Sequence, residues 1–244
     1  MKTVRDISIT AVPKTLDVDW TPDAIFRDTN QGAWFDPSDI STLFQDVAAT
    51  VPVSADGHPV AVMRDKSGHG NDAVQTNAAR RPTWRSDGTL AWLEFDGVDD
   101  RMLCSPIVFE TSDTLNCCAG MSYVPGGAGW GALRSLVATG VYAGLSNPSI
   151  TGTISNSGGV FSLNGDAAPN DRKELREALF SPAVLSGREV QTSSFSSQPW
   201  QFFGYWNTSP PGGRLFGYVE YEGSAGAEFA SLRAWMAKKT SAAA

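Results

Sequence analysis

Period-two alternation, broken at short intervals by glycine-rich turns, is the feature that most restricts what this chain can fold into. Val60 and Val62 alternate with small or polar neighbours; Leu93 and Phe95 share one face, Trp92 and Glu94 the other. Cys117, Ala119, Met121 and Tyr123 form a face that leaves the adjacent Cys118 on the opposite side. Trp200, Phe202, Gly204 and Trp206 alternate with Gln201, Phe203 and Tyr205. Leu215, Gly217, Val219 and Tyr221 alternate with Phe216, Tyr218 and Glu220. Such runs read as strands half-buried in a sheet. Between them lie Asp56-Gly57, Ser67-Gly68-His69-Gly70-Asn71, Asp87-Gly88, Asp96-Gly97, Asn164-Gly165-Asp166 and Pro210-Pro211-Gly212-Gly213, all turn-forming. With 24 glycines, 14 prolines and only 18% charged residues, the composition argues against a helical bundle. The 244 residues suit one all-β sandwich domain of roughly 10–14 strands.

Three short helices are expected beside the strands. Asp36 caps and Pro37 starts a two-turn helix whose Ile40, Leu43 and Phe44 form one face. Asp171 and Glu174 have capping-box spacing ahead of Leu175 and Leu179, and Pro182 ends that helix. From Gly226 to Lys239, Phe229, Leu232 and Met236 make an apolar stripe with Trp235 beside it. Residues 1–30 show no periodicity, with Pro13 and Pro22 as breaks and Val18 and Trp20 as anchors. They read as an extended arm packing on this domain (residues 31–240) or on a neighbouring subunit, or else as an ordinary edge strand.

The net charge of −7 disfavours nucleic-acid binding, which requires clustered lysine and arginine. No apolar run approaches the ~18–20 residues of a membrane span. The opening Met1-Lys2-Thr3-Val4-Arg5-Asp6 has no apolar core, so no signal peptide is expected. Three cysteines, two of them adjacent, fit a reduced protein made in a cytoplasm.

Three stretches carry a family resemblance. Trp34-Phe35-Asp36-Pro37-Ser38-Asp39 precedes Asp65-Lys66-Ser67-Gly68-His69-Gly70-Asn71-Asp72-Ala73, and Leu93-Glu94-Phe95-Asp96-Gly97-Val98-Asp99-Asp100-Arg101-Met102 follows. The ending, Leu215-Phe216-Gly217-Tyr218-Val219-Glu220-Tyr221 with Leu232-Arg233-Ala234-Trp235, agrees. This order and spacing resembles the concanavalin A-like (laminin-G-like) lectin/glucanase domains of bacteriophage structural proteins, especially minor virion and tail-fibre proteins. The resemblance implies a concanavalin-like jelly-roll β-sandwich with an N-terminal arm and a short C-terminal helix. It implies a non-enzymatic head- or tail-fibre or decoration component of the virion, assembled in the bacterial host cytoplasm. The implied partners are other virion proteins, further copies of the chain, and host-surface polysaccharide. A free carbohydrate-binding module and a glycoside hydrolase are the alternatives, since one fold hosts all three.

The residues themselves weigh these alternatives. Asp65 and Ser67 can bond nearby amides while Gly68 supplies a positive φ, giving a compact turn. Asp96, Gly97, Asp99 and Asp100 form a corner held by side-chain to backbone bonds. In the hydrolase reading Glu94 and Asp96 share a strand face and Asp99 is the second carboxylate, a methylene shorter than the usual glutamate. A calcium loop at Asp65–Asp72 lacks its closing glutamate and places His69 where an oxygen ligand belongs. Only His58 and His69 are available to a triad, and no nucleophile elbow or zinc spacing appears. No metal or cofactor is expected. Trp130, Trp200, Tyr205, Trp206 and Tyr218 are of the type that stacks on sugar rings, although core positions are their default.

Overall fold

In the computed structural model of the chain, the described residues are 20–27, 30–110, 114–126, 129–136, 142–144, 153–155, 158–192, 198–203 and 211–241. In chain order the helices are α1 (Asp23–Phe26), α2 (Arg172–Ala178) and α3 (Glu228–Thr240). The early strands are β1 (Gly32–Phe35), β2 (Leu43–Phe44), β3 (Val62–Met63), β4 (Ala73–Val74), β5 (Thr83–Ser86), β6 (Ala91–Phe95) and β7 (Leu103–Cys104). They are followed by β8 (Thr114–Tyr123), β9 (Arg134–Leu136), β10 (Tyr142–Ala143), β11 (Val160–Leu163), β12 (Asp166–Ala167), β13 (Ala183–Gln191), β14 (Trp200–Gln201) and β15 (Gly213–Glu222).

These strands form two antiparallel sheets. The first runs β12-β11-β13-β8-β15-β6-β5, with β1 also pairing along β15; the second runs β10-β9-β14-β7-β4-β3-β2. Side chains from both sheets meet in one apolar core, as in a β-sandwich. Strand β8 shows why: Leu115, Cys117, Ala119, Met121 and Tyr123 enter that core, as period two requires. Cys118 lies on the other face, under α3, so the adjacent cysteines do point apart.

The C-terminal helix closes the outer face of the first sheet. Phe229, Leu232, Trp235 and Met236 pack there with Trp34, Val184, Val219 and Tyr221. Gly120 and Gly217 are direct partners on β8 and β15 and form the seat for Met236. A Cβ on Gly217 would stand 3.0 Å from Met236 Sδ, and one on Gly120 would stand 2.6 Å from Thr240 Cγ2. No helix among the described residues is long and apolar enough to cross a membrane.

Helix α2 begins as the sequence predicts: Asp171 accepts from the amides of Lys173 and Glu174. The helix expected after Asp36 does not form. Only a 3₁₀ turn over Ile40–Thr42 appears, and Leu43 and Phe44 instead pair with Met63 and Val62. Asp36 still accepts from the Ser38 amide as a cap does, and also binds Lys239, but sheet pairing at Leu43 and Phe44 wins over local propensity beyond that single turn. The expected alternation along β15 is also interrupted. A bulge between Leu215 and Gly217 puts Leu215 on the same core face as Tyr218. Of the proposed arm, residues 1–19 and 28–29 lie outside the described residues. The described part is not extended: α1 is one helical turn whose Ile25 packs, with Trp20 and Phe26, into the α3 cluster of this same domain.

Candidate functional site

The Asp65 turn is a dock for β1. Asp65 Oδ1 accepts from the amides of Trp34 (2.9 Å) and Ser67 (2.8 Å). Its Oδ2 accepts from Ser67 Oγ (2.6 Å) and the Asn71 amide (2.9 Å). The Asp65 amide in turn donates to Asp72 Oδ1, and Asn71 Nδ2 donates to the Gly32 carbonyl at 2.7 Å. Gly68 sits at φ +90°. Four donors saturate the Asp65 carboxylate, so this loop is tied to the protein instead of being arranged for a cation. His69 Nε2 lies 2.8 Å from the Asn30 carbonyl and the Ser54 amide donates to His58 Nδ1 at 3.4 Å, so both histidines serve turns.

The Asp96 corner is built the same way. Asp96 Oδ1 accepts from the amides of Val98, Asp99 and Asp100, while the Asp96 amide donates to Asp100 Oδ2. Gly97 stands at φ +79°, and an added Cβ would lie 2.8 Å from the Gly212 amide nitrogen. Strand β6 ends at Phe95, and the Asp96 carboxylate beyond it turns onto the amides of its own corner. Glu94 accepts from Arg85 Nε at 2.8 Å and Asp99 from Arg80 Nε at 3.1 Å, so each carboxylate is held by its own arginine. The carboxylates of Asp96, Asp99 and Asp100 come within 4.8 Å of one another, a spacing a divalent cation bridges. Each already has a protein donor. Burial, then the neighbouring Asp96 and Asp99 charges, push the Asp100 carboxyl up to about 7, against the pull of the Asp96 amide.

The sugar-stacking candidates separate. Trp200 has no exposed surface: it fills the core between Phe35, Phe202 and Tyr218 and is unable to meet an external ligand. Tyr218 is equally buried. Trp130 is half-buried beside Tyr142, with the Arg172 guanidinium 5.8 Å from its ring centre. Tyr205 and Trp206 lie outside the described residues.

An open groove of about 230 Å³ lies beside β6 and β15. Glu94, Ser122, Tyr123, Phe180, Pro182 and Arg214 line it. Arg214 faces Glu94 directly across the strand pair and lies 4.7 Å over the Trp92 ring. A carboxylate, a guanidinium and a hydroxyl against apolar walls suit a neutral polyhydroxylated ligand.

Two polar features escaped the sequence reading. Arg134 and Glu220 form a fully buried ion pair between the sheets, with Nε 2.7 Å from Oε2. Tyr218 donates to the same oxygen at 2.7 Å, and the Arg134 guanidinium lies 4.5 Å from the Trp200 ring centre. Burial, then the Glu220 charge, push the Tyr218 hydroxyl far above its ordinary value. The sequence signal was a lone acid inside a long apolar strand, a position that demands a partner. The second is Arg176, fully buried with its guanidinium 4.2 Å from the Tyr123 ring centre. Burial also pushes all three cysteine thiols up, so none is a ready nucleophile.

A scan against protein-family models, a search of curated proteins and a search of solved structures give no match for this chain.

Proposed function

We propose that this chain is a non-catalytic structural component of a bacteriophage particle, a head- or tail-fibre or decoration protein displaying a concanavalin-like jelly-roll domain. Other virion proteins and further copies of the chain are its partners, and the virion its location. One observation carries the non-catalytic reading. The acidic motifs that bear the family resemblance are spent on holding loops: Asp65 binds four donors of the β1 dock, and Asp96 binds three amides of its own corner. The particle assignment itself rests on the sequence resemblance. The test is mass spectrometry of density-banded particles, with the chain quantified against the major capsid protein. A fixed ratio is expected; absence from the particles overturns the assignment.

The groove at Glu94 and Arg214 favours a second reading, binding of a host-surface glycan. Titration of host polysaccharide onto the chain should show saturable binding that Arg214→Gln weakens, with no release of reducing ends. Release that Glu94→Gln abolishes would establish the hydrolase alternative instead.

A further inference from the structure

We propose that a second cavity, between the first turn of α3 and strands β11 and β13, binds an oxyanion group (phosphate, sulfate or carboxylate) through Arg188 and Arg233. The cavity measures about 330 Å³, near the lower end of small-ligand sites. Ser162, Gly165, Arg188, Gly226, Phe229 and Arg233 contribute to its wall. It has room for the charged end of a small ligand. It is separate from the Glu94 groove and does not depend on the particle assignment.

The argument starts from Arg233. No carboxylate lies within ion-pair distance of Arg233 among the described residues, and unlike Arg81, whose Nε and Nη1 both donate to carbonyls, its Nε is left open. Its Nη1 donates to the Gly165 carbonyl at 3.3 Å, and its guanidinium lies 5.8 Å from the Phe229 ring centre. Its Nε is buried and has no hydrogen-bond partner. A buried, charged donor left open is costly unless something fills it. An oxyanion supplies both the acceptor and the countercharge, and the guanidinium fork matches its geometry.

Arg188 reaches the same cavity from the sheet. It lies at the bulge where the β13 register shifts between Gly187 and Val190, and the next residue, Glu189, sits at φ +58°. Bulges commonly re-aim a side chain. Among the described residues the one ion-pair neighbour of Arg188 is Glu189 at 3.7 Å, and both side chains are about half exposed, so that pair is weak. Ser162 pairs directly with Ser186 on β13 and adds a hydroxyl to the wall. Glu228 is the opposing charge. It stands in the first turn of α3, its carboxylate close to where a Gly226 side chain would project, and its repulsion limits affinity.

The test is titration of the full chain with sodium phosphate, sodium sulfate and sodium acetate, followed by backbone amide shifts. Sodium chloride at matched ionic strength is the control. Saturable shifts confined to the lining residues are expected, and the tightest of the three anions identifies the group recognised. Arg188→Gln and Arg233→Gln should each weaken binding about tenfold, the loss of one charge-assisted contact. Glu228→Gln should tighten it, a gain that misfolding does not mimic, and Arg64→Gln should leave it unchanged. Arg188 is half exposed, so its variant stays informative if Arg233→Gln fails to fold. Shifts that merely equal those with chloride, or binding that survives loss of Arg188, overturn the proposal.

Discussion

Arg134 Nε and Glu220 Oε2 lie 2.7 Å apart in the space between the sheets, and neither side chain has any exposed surface. The two residues come from strands β9 and β15 of opposite sheets, so the contact ties the two sheets together. Removing one partner leaves the other charged and buried. Glu220→Gln and Arg134→Met should each cost about 3–5 kcal/mol in urea unfolding. The double variant Arg134→Met/Glu220→Leu should recover most of that loss, because it removes both desolvation penalties. Tyr218→Phe, which loses one hydrogen bond to Glu220, should cost only about 1–2 kcal/mol.

Met236 of α3 rests on the Gly120–Gly217 pair. Gly217→Ala should destabilise the fold by about 1–3 kcal/mol, the usual penalty for overpacking. Met236→Ala alone should cost about 2–5 kcal/mol. Combined, the two losses should be clearly less than additive, since the new methyl fills space the methionine vacates. Additive losses in a thermal double-mutant cycle would remove the seat from the account.

Asp65→Ala deprives four donors of their acceptor, including the Trp34 amide of β1. The expected loss is about 2–4 kcal/mol, while Asp65→Asn, which keeps one acceptor oxygen, should lose about half as much. Hydrogen exchange should show the added opening concentrated at Gly32–Phe35.

Asp100 should give the fold an unusual pH response. Its folded carboxyl titrates at about 7, against an ordinary value of 3.8. Between those values the folded chain holds a proton that the unfolded chain releases. This group's contribution is therefore fully present below about pH 4 and is lost as pH rises through about 7. Carboxylates lowered by their hydrogen bonds, such as Asp39, act in the opposite direction and only at lower pH. From pH 5 to 8 the wild type should lose about 2 kcal/mol that Asp100→Asn does not lose. Equal slopes for the two proteins in urea titrations would refute this.

Legibility followed the range of the interactions. The face of β8 and the apolar stripe of α3 were visible because period two and period 3.6 are local properties. The cap at Asp171 was visible for the same reason. The strand at Leu43–Phe44 was not, because its partners Val62 and Met63 decide it from elsewhere in the chain. Nor was the bulge at Phe216, since nothing in the alternation marks which residue is extra. Trp200 looked like a surface candidate because a tryptophan on an alternating strand reads the same on either face. Glu220 stood out only by its sign. Its partner Arg134 is 86 positions away, a pairing no local pattern encodes.

The position of β15 has a consequence for how the molecule comes into being. This strand joins β8 along one side and both β6 and β1 along the other, so three separated segments meet on it. The amide of Gln31, just before β1, donates to Glu222, 191 positions later. At a synthesis rate of ~5–20 residues per second, the early strand waits on the order of 10–40 s for its partner to be made. From the moment each is made until β15 follows, β1, β6 and β8 lack that partner and offer bare edges, which puts the nascent chain within reach of chaperones and of its own siblings.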